Sequence, residues 1–145
     1  MIKQTVINAE LNHALAQARH GDAIVLCDAN MPIPAGCRVI DLSLVRGVPT
    51  LLQTLRAVLS DLVAERYEVF ELMPQYNPEM QAAIRALAPQ LPEGTISKAE
   101  LTRLMPTAKA VVRTGDFGSC CTMVLYSASG MDKYVRQFDC RFEEQ

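Results

Sequence analysis

The sequence predicts an α/β domain of three layers: a central, mostly parallel or mixed sheet with helices on both faces. Three observations carry this. Strand-like and helical patterns alternate along the chain. The run Ala23-Ile24-Val25-Leu26-Cys27 is apolar without alternation, as a strand covered on both faces requires. The 145 residues, half of them hydrophobic, suffice for one domain burying roughly two thirds of its unfolded surface without a stapling disulfide or metal.

The elements follow in order. Leu11, Ala14, Leu15 and Ala18 share one face of a helix over residues 9–19, with Asn8 as its N-cap. Gly21 sits where a glycine ends such a helix. His13 lies off the apolar face and reads as exposed. The buried strand comes next, and Arg38-Val39-Ile40-Asp41-Leu42 is a second, short one. Gly47-Val48-Pro49-Thr50 introduces a long helix carrying Leu51, Leu52, Leu55, Val58, Leu59, Leu62 and Val63. Tyr67 to Met73 is rich in strand formers, and Pro74-Gln75-Tyr76-Asn77-Pro78 reads as a loop. A helix then runs to about Ala88, ahead of Pro89. Ser97-Lys98-Ala99-Glu100 has the form of a capping box and opens a short helix. Lys109 to Thr114 and Thr122 to Tyr126 complete the sheet. Met131, Tyr134, Val135, Phe138 and Phe142 recur at helical spacing. The expected organisation is one domain over residues 1–130 and a helical extension over 131–145, docked on its own core or on a neighbouring subunit.

Charge narrows the function. Lys and Arg number 14 against 16 Asp and Glu, a net charge of −2 with no basic cluster. That balance argues against broad nucleic-acid or anionic-membrane binding. No segment approaches the roughly 18 apolar residues of a membrane span. Met1-Ile2-Lys3-Gln4-Thr5 lacks the pattern of a secretory leader, so a cytoplasmic location is expected. The five cysteines (27, 37, 120, 121 and 140) include no C-x-x-C pair, which predicts reduced thiols and no zinc site. Cys120 and Cys121 are adjacent and read as two free thiols in preference to a strained vicinal disulfide. The glycine-rich phosphate loops, the nucleophile elbow and the zinc-protease motif are all missing.

Two residues invite acid–base chemistry. His20, one of two histidines, exchanges protons near cellular pH. It can equally serve the last carbonyls of the preceding helix. Asp28 ends the buried strand, where α/β sheets commonly bind ligands. It can equally cap the next turn. A cysteine nucleophile at Cys120 or Cys121 with His20 as base is a further option without a supporting motif.

An ordered set of fragments resembles one family. They are Thr5-Val6-Ile7-Asn8, His20-Gly21-Asp22, Cys27-Asp28-Ala29, Pro32-Ile33-Pro34, Ile40-Asp41, Gly47-Val48-Pro49, Tyr76-Asn77-Pro78 and Ala110-Val111-Val112-Arg113-Thr114-Gly115-Asp116. Together, over roughly residues 1–126, they resemble the D-ribose pyranase / L-fucose mutarotase family, closer to its ribose branch. The resemblance implies interconversion of cyclic forms of a reducing sugar with no metal or organic cofactor. His20 would be the proton donor and Asp28 a ligand of sugar hydroxyls. Such proteins present Tyr-x-Asn before the last strand; the matching positions here are Cys120-Cys121-Thr122. They carry His or Arg where this chain has Lys98. The resemblance also implies a ring-like homo-oligomer, such as a decamer, with sites between neighbours. Strand geometry agrees: a straight strand at about 3.3 Å per residue would hold His20 and Asp28 of one chain roughly 20 Å apart. The expected function is a sugar mutarotase, and the rival class is a non-catalytic sugar-binding or regulatory relative.

Overall fold

The computed structural model describes residues 4–129 and centres on β1 (Ala23–Cys27), every residue of which is buried. Around it stand β2 (Val39–Asp41), β3 (Ala64–Phe70), β4 (Glu93–Ile96), β5 (Ala110–Arg113) and β6 (Met123–Ser127). They form one sheet in the order β2-β5-β1-β6-β3-β4. β5 is parallel to β1 and β2, and β4 is parallel to β3. β6 is antiparallel to both of its neighbours, β1 and β3. The sheet is therefore mixed, with one reversed strand joining two parallel blocks.

Strand alternation sends side chains to two separate cores. Ile24, Leu26, Val112, Met123, Leu125, Tyr67 and Val69 face one side. There they meet α1 (Ala9–Gln17), α2 (Leu51–Asp61) and α4 (Pro78–Leu87) through Leu11, Leu15, Leu51, Leu55, Val58 and Ile84. Val25, Cys27, Val111, Val124 and Tyr126 face the other side, under Leu101 of α5 (Lys98–Leu104) and Met105 of the following 3-10 turn. Full burial of such side chains stabilises the fold by about 1.5–3 kcal/mol each. Among the described residues no helix is long and apolar enough to cross a membrane.

The helix starts are locally encoded. Asn8 accepts from the Leu11 amide at 2.9 Å. Thr50 with Gln53, and Ser97 with Glu100, form complete capping boxes. Such caps satisfy amides that the helix cannot pair itself.

Four elements differ from the sequence expectation. α1 stops at Gln17, so Gly21 does not end it; at φ +80° it turns the chain into β1, and its amide donates to the Ser127 carbonyl at 2.8 Å. β3 covers 64–70, not 67–73, and Met73–Tyr76 forms one helical turn, α3, where a loop was expected. Pro74 fits inside its first turn, where the missing amide costs nothing. β4 was not anticipated: Glu-Gly-Thr-Ile is short and contains glycine, and pairing with β3 alone makes it a strand. The predicted 131–142 helix lies outside the described residues.

β4 is tied to α4 by one carboxylate. Glu93 accepts from the hydroxyl of buried Tyr67 (2.7 Å), from Gln81 Nε2 (2.6 Å) and from Arg85 Nε and Nη2 (3.1 and 2.8 Å). Burial works to raise the Glu93 carboxyl pKa, but the bonds from Arg85, Tyr67 and Gln81 outweigh it and hold it below the ordinary value. A depressed folded-state pKa stabilises above the unfolded Glu value of about 4.3 and is lost as pH falls through the folded value. Replacing Glu93 by Ala leaves the Tyr67 hydroxyl unpaired, an expected cost of about 1–3 kcal/mol in urea unfolding at pH 7. The gap between variant and parent should shrink on acidification below that range. A gap independent of pH would count against the network.

Candidate functional site

β6 runs opposite to β1, so the segment entering β6 lies beside the carboxyl end of β1. A cavity of about 360 Å³ opens there, lined by Asp28, Asn30, Met31, Pro32, Phe70, Leu72, Lys98, Thr102, Cys120 and Thr122. Asp28 follows β1, Phe70 ends β3, Lys98 and Thr102 stand one turn apart on α5, and Cys120 and Thr122 precede β6. The volume is that of a small-molecule site, and the location is where α/β sheets bind ligands. The lining pairs apolar surfaces (Met31, Phe70, Leu72) with hydroxyl, carboxylate and ammonium groups. Such a mixture suits a ligand with apolar faces and a polar rim.

Asp28 takes both roles open to it in the sequence. Its Oδ1 accepts from the Asn30 amide at 2.9 Å, closing the turn, and its Oδ2 accepts from Thr122 Oγ1 at 3.3 Å. A carboxylate has about four acceptor sites, so acceptor capacity remains for a ligand. The turn itself is clamped by Arg113. Its Nε and Nη2 donate to the Ala29 carbonyl at 2.9 and 2.8 Å, and Nη1 donates to Asp41 Oδ2 at 2.7 Å. The Asp41 carboxyl is held below its ordinary pKa by the Ser43 hydroxyl first, with Arg113 adding to it. Thr114 adds two bonds to the Cys27 carbonyl, from its amide and its hydroxyl, both at 2.9 Å.

Lys98 opens α5, and its amide donates to Glu71 Oε1 at 3.0 Å. No carboxylate among the described residues pairs with its ammonium. Cys120 has φ +57°, a left-handed backbone unusual for a residue with a β-carbon. The Thr122 amide donates to the Cys120 carbonyl at 2.8 Å, and this tight turn sends both side chains into the cavity. Cys121, between them, points away. It is buried, and its Sγ accepts from Asn77 Nδ2 at 3.3 Å. Burial, with Asp116 next, pushes the Cys121 thiol up to about 12. Burial, with Asp28 next, also raises Cys120. Both stay thiols at neutral pH, which weakens the cysteine-nucleophile option.

His20 stands at the other end of β1 and does not line the cavity. Its side chain is 63% exposed, and Nε2 lies 3.0 Å from Glu65 Oε2. It does not cap α1, because the Arg19 guanidinium takes the Ala16 and Ala18 carbonyls. One subunit thus gathers Asp28, Lys98, Cys120 and Thr122, and leaves His20 and Cys121 elsewhere. Sequence reasoning missed Glu65 and the role of Arg113. Glu65 is 45 residues from His20, and no local pattern marks the pairing.

Known proteins share this architecture. The model of the RbsD / FucU transport protein family matches residues 1–129. A D-ribose pyranase of Laribacter hongkongensis is 37% identical over 127 residues, covering 88% of this chain and 97% of that protein. A D-ribose pyranase of Coprothermobacter proteolyticus is 35% identical with the same coverage. The structure of Bacillus subtilis RbsD complexed with D-ribose superposes with a TM-score of 0.83 at 30% identity, covering 88% of this chain and 98% of that one. The fucose mutarotase of Streptococcus pneumoniae, solved with L-fucose, shares the fold at TM-score 0.76 and 18% identity, covering 88% and 98%.

The raised thiol pKa values set a reactivity order. At pH 7.5, iodoacetamide should alkylate Cys120 more slowly than free cysteine, and Cys121 more slowly still, as read by peptide mass spectrometry. The Cys120 rate should keep rising with pH beyond about 8.5, where free cysteine levels off. A Cys120 rate equal to that of free cysteine at pH 7.5 would contradict its half-buried, anion-flanked environment.

Proposed function

The chain belongs to the RbsD / FucU family, and on that premise we propose that it interconverts the cyclic forms of a reducing monosaccharide such as D-ribose. The carrying observation is the cavity after β1, where Asp28, Lys98 and Thr122 converge over an apolar floor. Asp28 would accept charge-assisted hydrogen bonds from sugar hydroxyls. Lys98 would donate to others, and Phe70 and Met31 would pack on the C–H face of the ring.

Ring opening needs one proton removed from the anomeric hydroxyl and one delivered to the ring oxygen. The bond from the anomeric carbon to the ring oxygen then breaks and leaves the aldehyde. Attack on that carbon by a different hydroxyl gives the other ring size. Attack on its other face gives the other anomer. The proton movements reverse on closure, so nothing is consumed. His20 is the proposed proton carrier. Glu65 at 3.0 Å from Nε2 suits it by orienting the imidazole, which leaves Nδ1 for exchange.

His20 and Asp28 lie at opposite ends of β1, so His20 would act in the cavity of a neighbouring subunit. A homo-oligomer with interfacial sites follows from that reading. Exposed Leu44, Val45, Val48 and Phe117 cluster beyond the sheet and offer apolar surface for self-association. The free thiols of Cys27, Cys37, Cys120 and Cys121 fit a reducing, cytoplasmic setting.

Saturation-transfer NMR on D-ribose tests the reading. Exchange between pyranose and furanose signals should accelerate in proportion to protein. His20→Ala should lower the acceleration by about 10²–10⁴-fold, the range for one general acid–base. Asp28→Asn should weaken sugar binding by about tenfold or more, the loss of one charge-assisted bond. Binding without acceleration would identify a sugar-binding relative instead. Neither binding nor acceleration across several aldoses would sink the proposal.

A further inference from the structure

β3 does not keep the alternation of an ideal strand. Ala64, Tyr67 and Val69 all pack into the core beneath α1, α2 and α4. Tyr67 and Val69 are two residues apart, as side chains on one face of a strand must be, but Ala64 and Tyr67 are three apart. The register gives the reason. Ala64 pairs with Ser127 and Arg66 with Tyr126, so β3 advances by two residues where β6 advances by one. Glu65 is the extra residue of a β-bulge. A bulge gives up ladder pairing locally and re-aims a side chain, and bulges recur beside active sites. Arg66, the next residue, lies over the Tyr126 ring on the opposite face, 3.4 Å from its centroid.

The bulge aims Glu65 at His20, and one residue of β6 holds both segments. The Ser127 carbonyl accepts from the Gly21 amide at 2.8 Å, and the Ser127 amide donates to the Asp22 carbonyl at 2.9 Å. Ser127 also pairs with Ala64, the neighbour of Glu65. Asp22 fixes the turn from its far side: its Oδ2 accepts from the Arg19 amide at 2.8 Å and lies 3.0 Å from Lys109 Nζ. The backbone carrying His20 is thus tied down, and Glu65, only 25% exposed, is the settled partner of the more exposed imidazole. A carboxylate accepts hydrogen bonds and cannot donate them. At 3.0 Å from Nε2 it keeps a proton on that nitrogen, so the neutral ring has its lone pair on Nδ1.

We propose that the bulge makes Glu65 the positioning residue of the reaction, through which Nδ1 of His20 serves as both base and acid in turn. The proposal rests on the catalytic reading of His20 above. Nδ1 takes the anomeric proton: the O–H bond breaks and an N–H bond forms. The resulting imidazolium turns its Nε2–H toward the Glu65 carboxylate, which stabilises that charge. The electron pair left on the anomeric oxygen forms the carbonyl. The bond from the anomeric carbon to the ring oxygen breaks, its electron pair stays on the ring oxygen, and Nδ1 returns its proton there. One nitrogen therefore handles both protons, and the imidazole ends as it began.

Two readouts test this on the full-length protein. The first uses no sugar. With only His13 and His20 present, histidine-selective isotope labelling gives two sets of signals. The Hα–Hβ couplings of His20 should show one staggered rotamer in the parent and a rotamer average in Glu65→Ala. Glu65→Gln keeps an acceptor oxygen at the same reach, so it should keep the ring ordered, and it serves if Glu65→Ala does not fold. The second is ribose exchange by saturation-transfer NMR. Glu65→Ala should lower the saturating rate by about 10–100-fold, the loss of one hydrogen bond to a charged group, and leave KM unchanged. Glu65→Gln should recover part of that loss. In a His20→Ala background Glu65→Ala should have no further effect, because it acts through the imidazole. An averaged His20 rotamer in the parent would overturn the proposal. So would an equal loss in both backgrounds, a change confined to KM, or a Glu65→Gln variant no better than Glu65→Ala in both readouts. Full exchange by His20→Ala would overturn the catalytic reading along with it, whereas the other failures remove the role of Glu65 alone.

Discussion

Between two blocks of parallel strands runs β6, antiparallel to both neighbours, with Met123 paired to Leu26 and Leu125 to Ile24. That register brings Thr122, one residue ahead of the strand, to 3.3 Å from Asp28, two residues past Leu26. A parallel β6 would put its first residues at the far end of the sheet, beside His20. The candidate site therefore rests on strand direction first and on side chains second. All five residues of β1 are buried, so a one-residue slip would exchange the occupants of two packed cores and is strongly disfavoured.

Arg113 makes that placement rigid. A single planar fork joins the end of β5 to the Ala29 carbonyl and to Asp41 at the end of β2. Lysine could not span both sets of acceptors with one head group. The electrostatics around the cavity then favour one kind of chemistry. Burial first, and nearby carboxylates second, keep the thiols protonated. The proposed mechanism would therefore take its proton carrier, an imidazole, from outside the cavity.

What was legible in the sequence follows from the range of the forces involved. Helix caps at Asn8 and Ser97 and the apolar run of β1 are local signals, and all appear as read. β4 and α3 were not legible. Glu93–Ile96 is a strand because β3 lies beside it, and Met73–Tyr76 turns because Pro74 tolerates a helix start. Within the cavity, Asp28, Lys98, Cys120 and Thr122 were all singled out in the sequence. Cys121 was grouped with them, although consecutive side chains of a turn leading into a strand point to opposite sides. Glu65 and Arg113 act across 45 and 84 residues respectively, a range at which a single sequence carries no pattern.

The two ends of β1 carry complementary incompleteness. At the carboxyl end stands a cavity with sugar-compatible ligands and no imidazole among its walls. At the amino end stands an exposed imidazole paired with Glu65, away from the Asp28 cavity. The turn of 18–22 cannot carry His20 around to Asp28, because Gly21 is bonded to Ser127 and Asp22 accepts from Arg19 within the turn. An exposed His–Glu pair contributes little to stability, so packing alone does not account for it. Under the proposed mechanism, a second subunit would join the two ends.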